Sequence, residues 1–139
     1  MQVHRGVKTA RWFVESLVDL AAELMARDRW LALSLIRDPR GPFVYANVHG
    51  FVINLRGDVL ADPLAPELEG ANQIDRRSAD GRPVQRDLIA LLENEGVGWR
   101  TRYLWPRPGE PRLGRRDFYV RRVVLDGETL GVGAGVYVD

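Results

Sequence analysis

Cysteine is absent from this 139-residue chain. Its absence excludes a disulfide, a zinc-thiolate centre and a thiol nucleophile. Histidine is nearly absent, with only His4 and His49. A Ser/His/Asp arrangement would have to use His49, and no nucleophile-elbow pattern accompanies it; nor is there an HExxH set for a metal. The chain is therefore not expected to be an enzyme, and no cofactor is implied. Of the 20 basic residues all but Lys8 are arginine, and against 19 acidic residues they leave a net charge of +1. That balance lacks the basic excess of a nucleic-acid binder. Long apolar runs are missing too. Nothing approaches the roughly 18 apolar residues of a membrane span, and the opening "MQVHRGVKTARWF" has no signal-peptide core. Two settings are left open: a cytosolic protein, or a trimmed mature or recombinant domain.

What is present suits one domain over residues 1–139, since 45% hydrophobic content at this length supplies one core. Trp12, Phe13, Leu17, Leu20, Ala21, Leu24, Met25, Leu31 and Leu35 recur at three- and four-residue steps. The spacing predicts a long amphipathic helix over 8–35, with a break near "RDRW". "RDPRGP" stops it. Strands are expected at 49–55 and 59–61 around the Arg56-Gly57-Asp58 turn. The next twenty or so residues hold too much Pro, Gly, Asp and Asn for regular structure, and loops of that length are commonly functional. A short helix over 84–95 follows, then strands at 98–105, 116–125 and 129–138. The sum is an α+β, PAS-like fold: a five-stranded antiparallel sheet with the long helix on one face and a loop and short helix over a pocket on the other.

In "GVGWRTRYLWPRPG", residues 96–109, Trp99, Thr101, Tyr103 and Trp105 fall on every second position. Period two puts them on one face of a strand. Such a face serves either as core or as the wall of a pocket for a small polar ligand. The glycines of "GVGAGV" do not form a dinucleotide cradle, because no helix follows them; backbone crowding in the sheet is the better account.

The landmarks "FVINLRG" followed by "DP", "PELEG", the "DG" turn before the short helix, "GWRTRYLWPRPGE", "FYVRRV" and "VGAGVYVD" stand in order. From about residue 36 to the end the chain resembles the single Cache domain 2 family, with the preceding helix, 1–36, fitting that family's N-terminal helix and 43–139 its sensor core. The resemblance implies an extracytoplasmic or periplasmic sensor of short carboxylates such as acetate, propionate, pyruvate or lactate, working in signal transduction and chemotaxis or as a stand-alone binding protein.

A small carboxylate needs a cation or several N–H and O–H donors, and an apolar wall for its carbons. Tyr103 and Trp105 offer donor and wall, while Trp99 is expected in the core. On the next strand Tyr119 and Arg121 share a face, which makes Arg121 the expected cation. Arg86, one turn into the short helix, is a second candidate. His49 stands where the family commonly has tyrosine; facing the pocket, its imidazolium would be favoured by a bound carboxylate and affinity would fall as pH rises. Asp117 on the pocket side would instead favour an amine or amino acid. Asp62-Pro63 is read as a turn. The rival reading is an interaction module, in which the long helix pairs with a second copy to form a homodimer.

Overall fold

The structure, a computed structural model, describes residues 9–107 and 109–138. The expected helix start at Lys8, together with His4, lies outside the described residues. Helix α1 spans Arg11–Arg27 and α2 spans Arg29–Arg37. The break falls in "RDRW", as the spacing predicts. Asp28 leaves helical geometry at φ −153°, and its carboxylate accepts the Leu31 N–H at 3.1 Å, so the residue that ends α1 also caps α2. Val14, Leu17, Val18, Ala21, Ala22 and Met25 form the buried stripe of α1.

The sheet has six strands rather than the expected five: β1 Val44–Tyr45, β2 Val48–Asn54, β3 Val59–Ala61, β4 Val97–Pro106, β5 Leu113–Leu125 and β6 Glu128–Val138. The additional strand, β1, is two residues long, too short for any alternation to announce it. All pairings are antiparallel, in the order β1-β2-β6-β5-β4 with β3 also on β2. Helix α3, Val84–Asn94, lies on the side opposite α1.

Two cores follow from the pleat. Val132, Ala134 and Val136 of β6 meet α1 and α2, whereas Phe51, Phe118 and Val120 meet Val84, Leu88, Leu91 and Leu92 of α3. Each such side chain stabilises by about 1.5–3 kcal/mol when fully buried, so the apolar stripe of α3 supplies most of its hold on the sheet, supplemented by hydrogen bonds from Tyr103 to Asp87 and from Arg122 to the Leu92 carbonyl. The segment between β3 and α3 contains one 3₁₀ turn, Pro66–Leu68. It is pinned at its root, because Asp58 accepts from Asn54 and Asn72, both at 2.9 Å, and Val59 N–H donates to Ala71 O at 3.0 Å. That pinning carries Gln73 and Arg76 over the sheet, where they line a cavity.

Candidate functional site

The aromatic strand does not present a single face. Arg100 pairs with Phe118 and Tyr103 with Arg116, so two residues of β4 stand opposite one of β5. This is a β-bulge, and one extra residue turns everything beyond it to the other side. Arg102 takes φ +69°, and Asp117 accepts its N–H at 2.9 Å. Before the bulge, Trp99 packs toward α1, donates its indole N–H to Glu15 at 2.7 Å and contacts the Tyr119 ring. After it, Tyr103 and Trp105 belong to the α3 side. Asp117 thus faces away from the pocket, with Arg11 of α1 3.9 Å from it, and it does not recruit an amine there.

Between the sheet and the segment leading into α3 lies a cavity of about 60 Å³, walled by Phe51, Leu88, Trp105 and Phe118 among others, with Asp62, Arg76 and Arg116 as its charged groups. That is about four times the volume needed for one water. An adjoining, more open hollow of about 220 Å³ shares those three groups and adds His49 and Tyr137.

Arg116 dominates this space. It is 8% exposed, and its guanidinium carbon sits 4.9 Å from the Phe118 ring centre, 5.3 Å from that of Tyr137 and 5.5 Å from that of Trp105. Its Nη2 lies 2.6 Å from His49 Nε2, and its Nε has no hydrogen-bond partner. Among the described residues no carboxylate oxygen comes within 4.0 Å of it. Burial lowers its proton affinity, opposed by Tyr137 and Asp62. Gly135 makes the placement feasible: a Cβ there would stand 2.6 Å from Arg116 Nε and 2.7 Å from Nη2. Backbone crowding, the expected reason for the last strand's glycines, is here a side chain lying flat on the sheet.

His49 pairs with Gly135 across β2 and β6 and is 4% exposed. Burial, reinforced by the Arg116 charge, lowers its pKa to about 3. The imidazole is therefore neutral, and its Nε2 accepts from Arg116. Asp62 keeps its expected turn role, accepting from the N–H groups of Leu64 and Ala65 at 3.1 and 3.2 Å, and it also lines both hollows. Burial raises its carboxyl pKa against the pull of those bonds and of Arg116.

The other expected site residues lie elsewhere. Tyr119 and Arg121 do share a face, but it is the α1 face, where Arg121 Nε meets Asp19 at 2.6 Å and Tyr119 packs in the helix core. Arg121 is thus not the pocket cation. Arg86 points outward and pairs with Asp75 at 2.8 Å. Tyr103 is fully buried behind the cavity, donating to Asp87 at 2.7 Å beneath the Arg82 guanidinium; burial and Asp87 raise its pKa. Of the expected set, Trp105 lines both hollows and His49 the outer one. Arg116 was missed because Tyr119 drew the parity argument to odd positions, while Arg116, Phe118 and Val120 form the other face. The signal that could have found it is the glycine-rich last strand, which implies something large lying across it. Among the described residues there is no cluster of His, Asp or Glu that could hold a metal, and no helix is long and apolar enough to cross a membrane.

The sequence matches the family model described as Single Cache domain 2 over residues 14–139. The chain belongs to that family. Solved structures agree with the assignment. A periplasmic sensor domain of a chemotaxis protein is 26% identical with a TM-score of 0.72, covering 93% of this chain and 92% of that one. A Cache chemosensory domain, solved for the structural basis of its carboxylic acid recognition, is 26% identical with a TM-score of 0.68, covering 92% and 88%. A methyl-accepting chemotaxis protein from Vibrio parahaemolyticus RIMD 2210633 shares the fold at 16% identity, with a TM-score of 0.70 and coverage of 93% and 88%. No curated protein matches the chain. In this Cache domain, as in PAS-like folds, the sheet is packed by a helix on one face and roofed by loop and helix on the other.

Proposed function

We propose that this Cache domain is an extracytoplasmic sensor that binds a short-chain monocarboxylate between Arg116, Trp105 and Phe118 and does not transform it. The observation that carries the reading is Arg116, a buried guanidinium lining the pocket with no carboxylate within 4.0 Å among the described residues and an Nε without a hydrogen-bond partner. A buried charge without a counter-charge is costly, and an anionic ligand removes that cost. Charge arithmetic supports a single carboxylate. Arg116 and Arg76 against Asp62 give +2 − 1 = +1 in the inner cavity, which one carboxylate neutralises. Trp105 and Phe118 supply the apolar wall for a short carbon chain. The Cache neighbour solved for carboxylic acid recognition supports the same reading.

Isothermal titration with acetate, propionate, pyruvate, lactate and a panel of amino acids tests it. One or two charge-assisted hydrogen bonds and a few buried CH₂ groups support dissociation constants of about micromolar to millimolar. Heat and a raised melting temperature with at least one acid, unchanged on recovery, are expected; no response to any acid overturns the reading. A second feature supports self-association. Trp12 and Leu20 on α1 are 68% and 59% exposed, two turns apart on the helix. Sedimentation of the wild type beside Trp12→Ala/Leu20→Ala tests pairing through that helix, and a monomer at high concentration excludes it.

A further inference from the structure

An acid in the wall of an anion pocket needs a reason. Asp62 is the one acidic residue lining either hollow among the described residues. Its Oδ1 is occupied by the turn it closes, accepting from Leu64 and Ala65. An asparagine would do that equally well, because only one oxygen is used. The second oxygen, Oδ2, accepts no hydrogen bond from any described residue, and no arginine nitrogen lies within 4.0 Å of it. His49 comes within 4.0 Å of Oδ1, but its neutral Nε2 faces Arg116 as an acceptor. The wall thus holds a cation without a counter-charge, its Nε unpartnered, and, lining the same space, a carboxylate oxygen without a protein donor.

We propose that the pocket selects 2-hydroxy monocarboxylates, of which lactate and glycolate are the smallest, with Arg116 holding the carboxylate and Asp62 Oδ2 accepting the hydroxyl hydrogen. The inference rests on the carboxylate reading above and names its ligand class. A 2-hydroxy acid offers the acceptor and the donor on adjacent carbons, in a molecule small enough for the inner cavity. Its single charge also leaves Arg116, Arg76 and Asp62 balanced. The competitors each fail on one count. A plain acid such as propionate balances the charge but leaves Oδ2 without a donor. A 2-oxo acid such as pyruvate turns a ketone oxygen toward Oδ2, acceptor against acceptor. An α-amino acid brings a donor but no net charge, so one positive charge stays unbalanced.

The test is titration of the wild-type domain with lactate, glycolate, propionate, pyruvate and alanine at pH 7, repeated with Asp62→Asn. A hydrogen bond to a charged acceptor is expected to favour lactate and glycolate over propionate and pyruvate by about tenfold or more. Asp62→Asn keeps Oδ1 for the turn and should shrink the lactate-to-propionate ratio to about threefold or less while melting near the wild-type temperature. The wild-type series decides alone if the variant does not fold. Propionate or pyruvate binding as tightly as lactate overturns the selectivity and leaves the carboxylate reading standing; alanine binding tightest overturns it by giving Asp62 an ammonium. Binding of no acid at all removes both.

Discussion

Arg116 Nη2 and His49 Nε2 stand 2.6 Å apart over the bare backbone of Gly135, with a cation on one side and a neutral imidazole on the other. The pair orients the guanidinium without neutralising it. A carboxylate in place of His49 would have quenched the charge that the pocket offers a ligand, whereas an imidazole held neutral only accepts a hydrogen bond.

Arg116→Met separates binding from folding. Removing the buried cation leaves nothing in the inner cavity that fully pairs a carboxylate, so affinity for any acid that binds the wild type should fall by about a hundredfold or more. Stability should not fall with it, because a well-packed apolar side chain replaces a desolvated charge. Calorimetry and thermal melting on one preparation check both halves. A variant that melts well below wild type would assign Arg116 a structural role.

Gly135→Ala tests the same geometry from below. The added Cβ would stand 2.6 Å from Arg116 Nε, a distance that side chains do not tolerate, so the guanidinium must lift off the sheet and lose His49. Acid affinity is expected to drop about tenfold, the worth of one charge-assisted hydrogen bond. The backbone at 135 needs no positive φ, so circular dichroism should be unchanged.

For His49 the sign of the pH effect is set by a folded pKa of about 3 against the ordinary 6.5. Below pH 6.5 the unfolded chain binds a proton at this position that the folded chain refuses. Stability therefore rises with pH across the window from about 3 to 6.5, by roughly 1.4 kcal/mol per unit at most, and its contribution is complete above that window. Urea melts at pH 7.5, 6 and 5 measure the slope. Asp62, its carboxyl pKa raised by burial, acts in the opposite sense at the acid end, so His49→Gln is the control that isolates the imidazole. Affinity, by contrast, should stay flat between pH 5.5 and 8, because the ring is neutral throughout. The sequence alone suggested a fall in affinity with rising pH; burial of the ring, reinforced by the Arg116 charge beside it, is what removes it.

Arg121→Ala is expected to leave acid affinity unchanged within error. The residue sits on the α1 face, and its partner Asp19 is about half exposed, so the stability cost should be about 0–1 kcal/mol. A large loss of affinity in this variant would move the binding site to the helix side of the sheet.

Apart from the two-residue β1, the elements were legible because each is announced by local chemistry. The Asp28 break, the Pro-Gly stop after α2, the Arg56-Gly57-Asp58 turn and the α3 stripe are patterns within a few residues of one another, and they came out within about two residues of the structure. The expected stripe of α1 was right only in part, since Trp12 and Leu20 are exposed and Val14, Val18 and Ala22 are buried. The family, too, was legible, since its landmarks are linear. The site was legible only in part. Trp105 and His49 line the hollows where the sequence pointed, but Arg116 required knowing which parity of β5 faces α3. The parity of β4 was reset by a bulge held by Asp117, fifteen residues beyond Arg102. Period two survives within a strand but not across an inserted residue, and no local preference marks Arg102 for positive φ. What the sequence by itself determined was therefore the main helices and strands and their order, all but the two-residue β1, because hydrophobic period and turn chemistry act over a few residues. Which side chains share the pocket was decided only when β2, β5 and β6 came together and laid Arg116 across Gly135 onto His49, since that contact depends on register between strands distant along the chain.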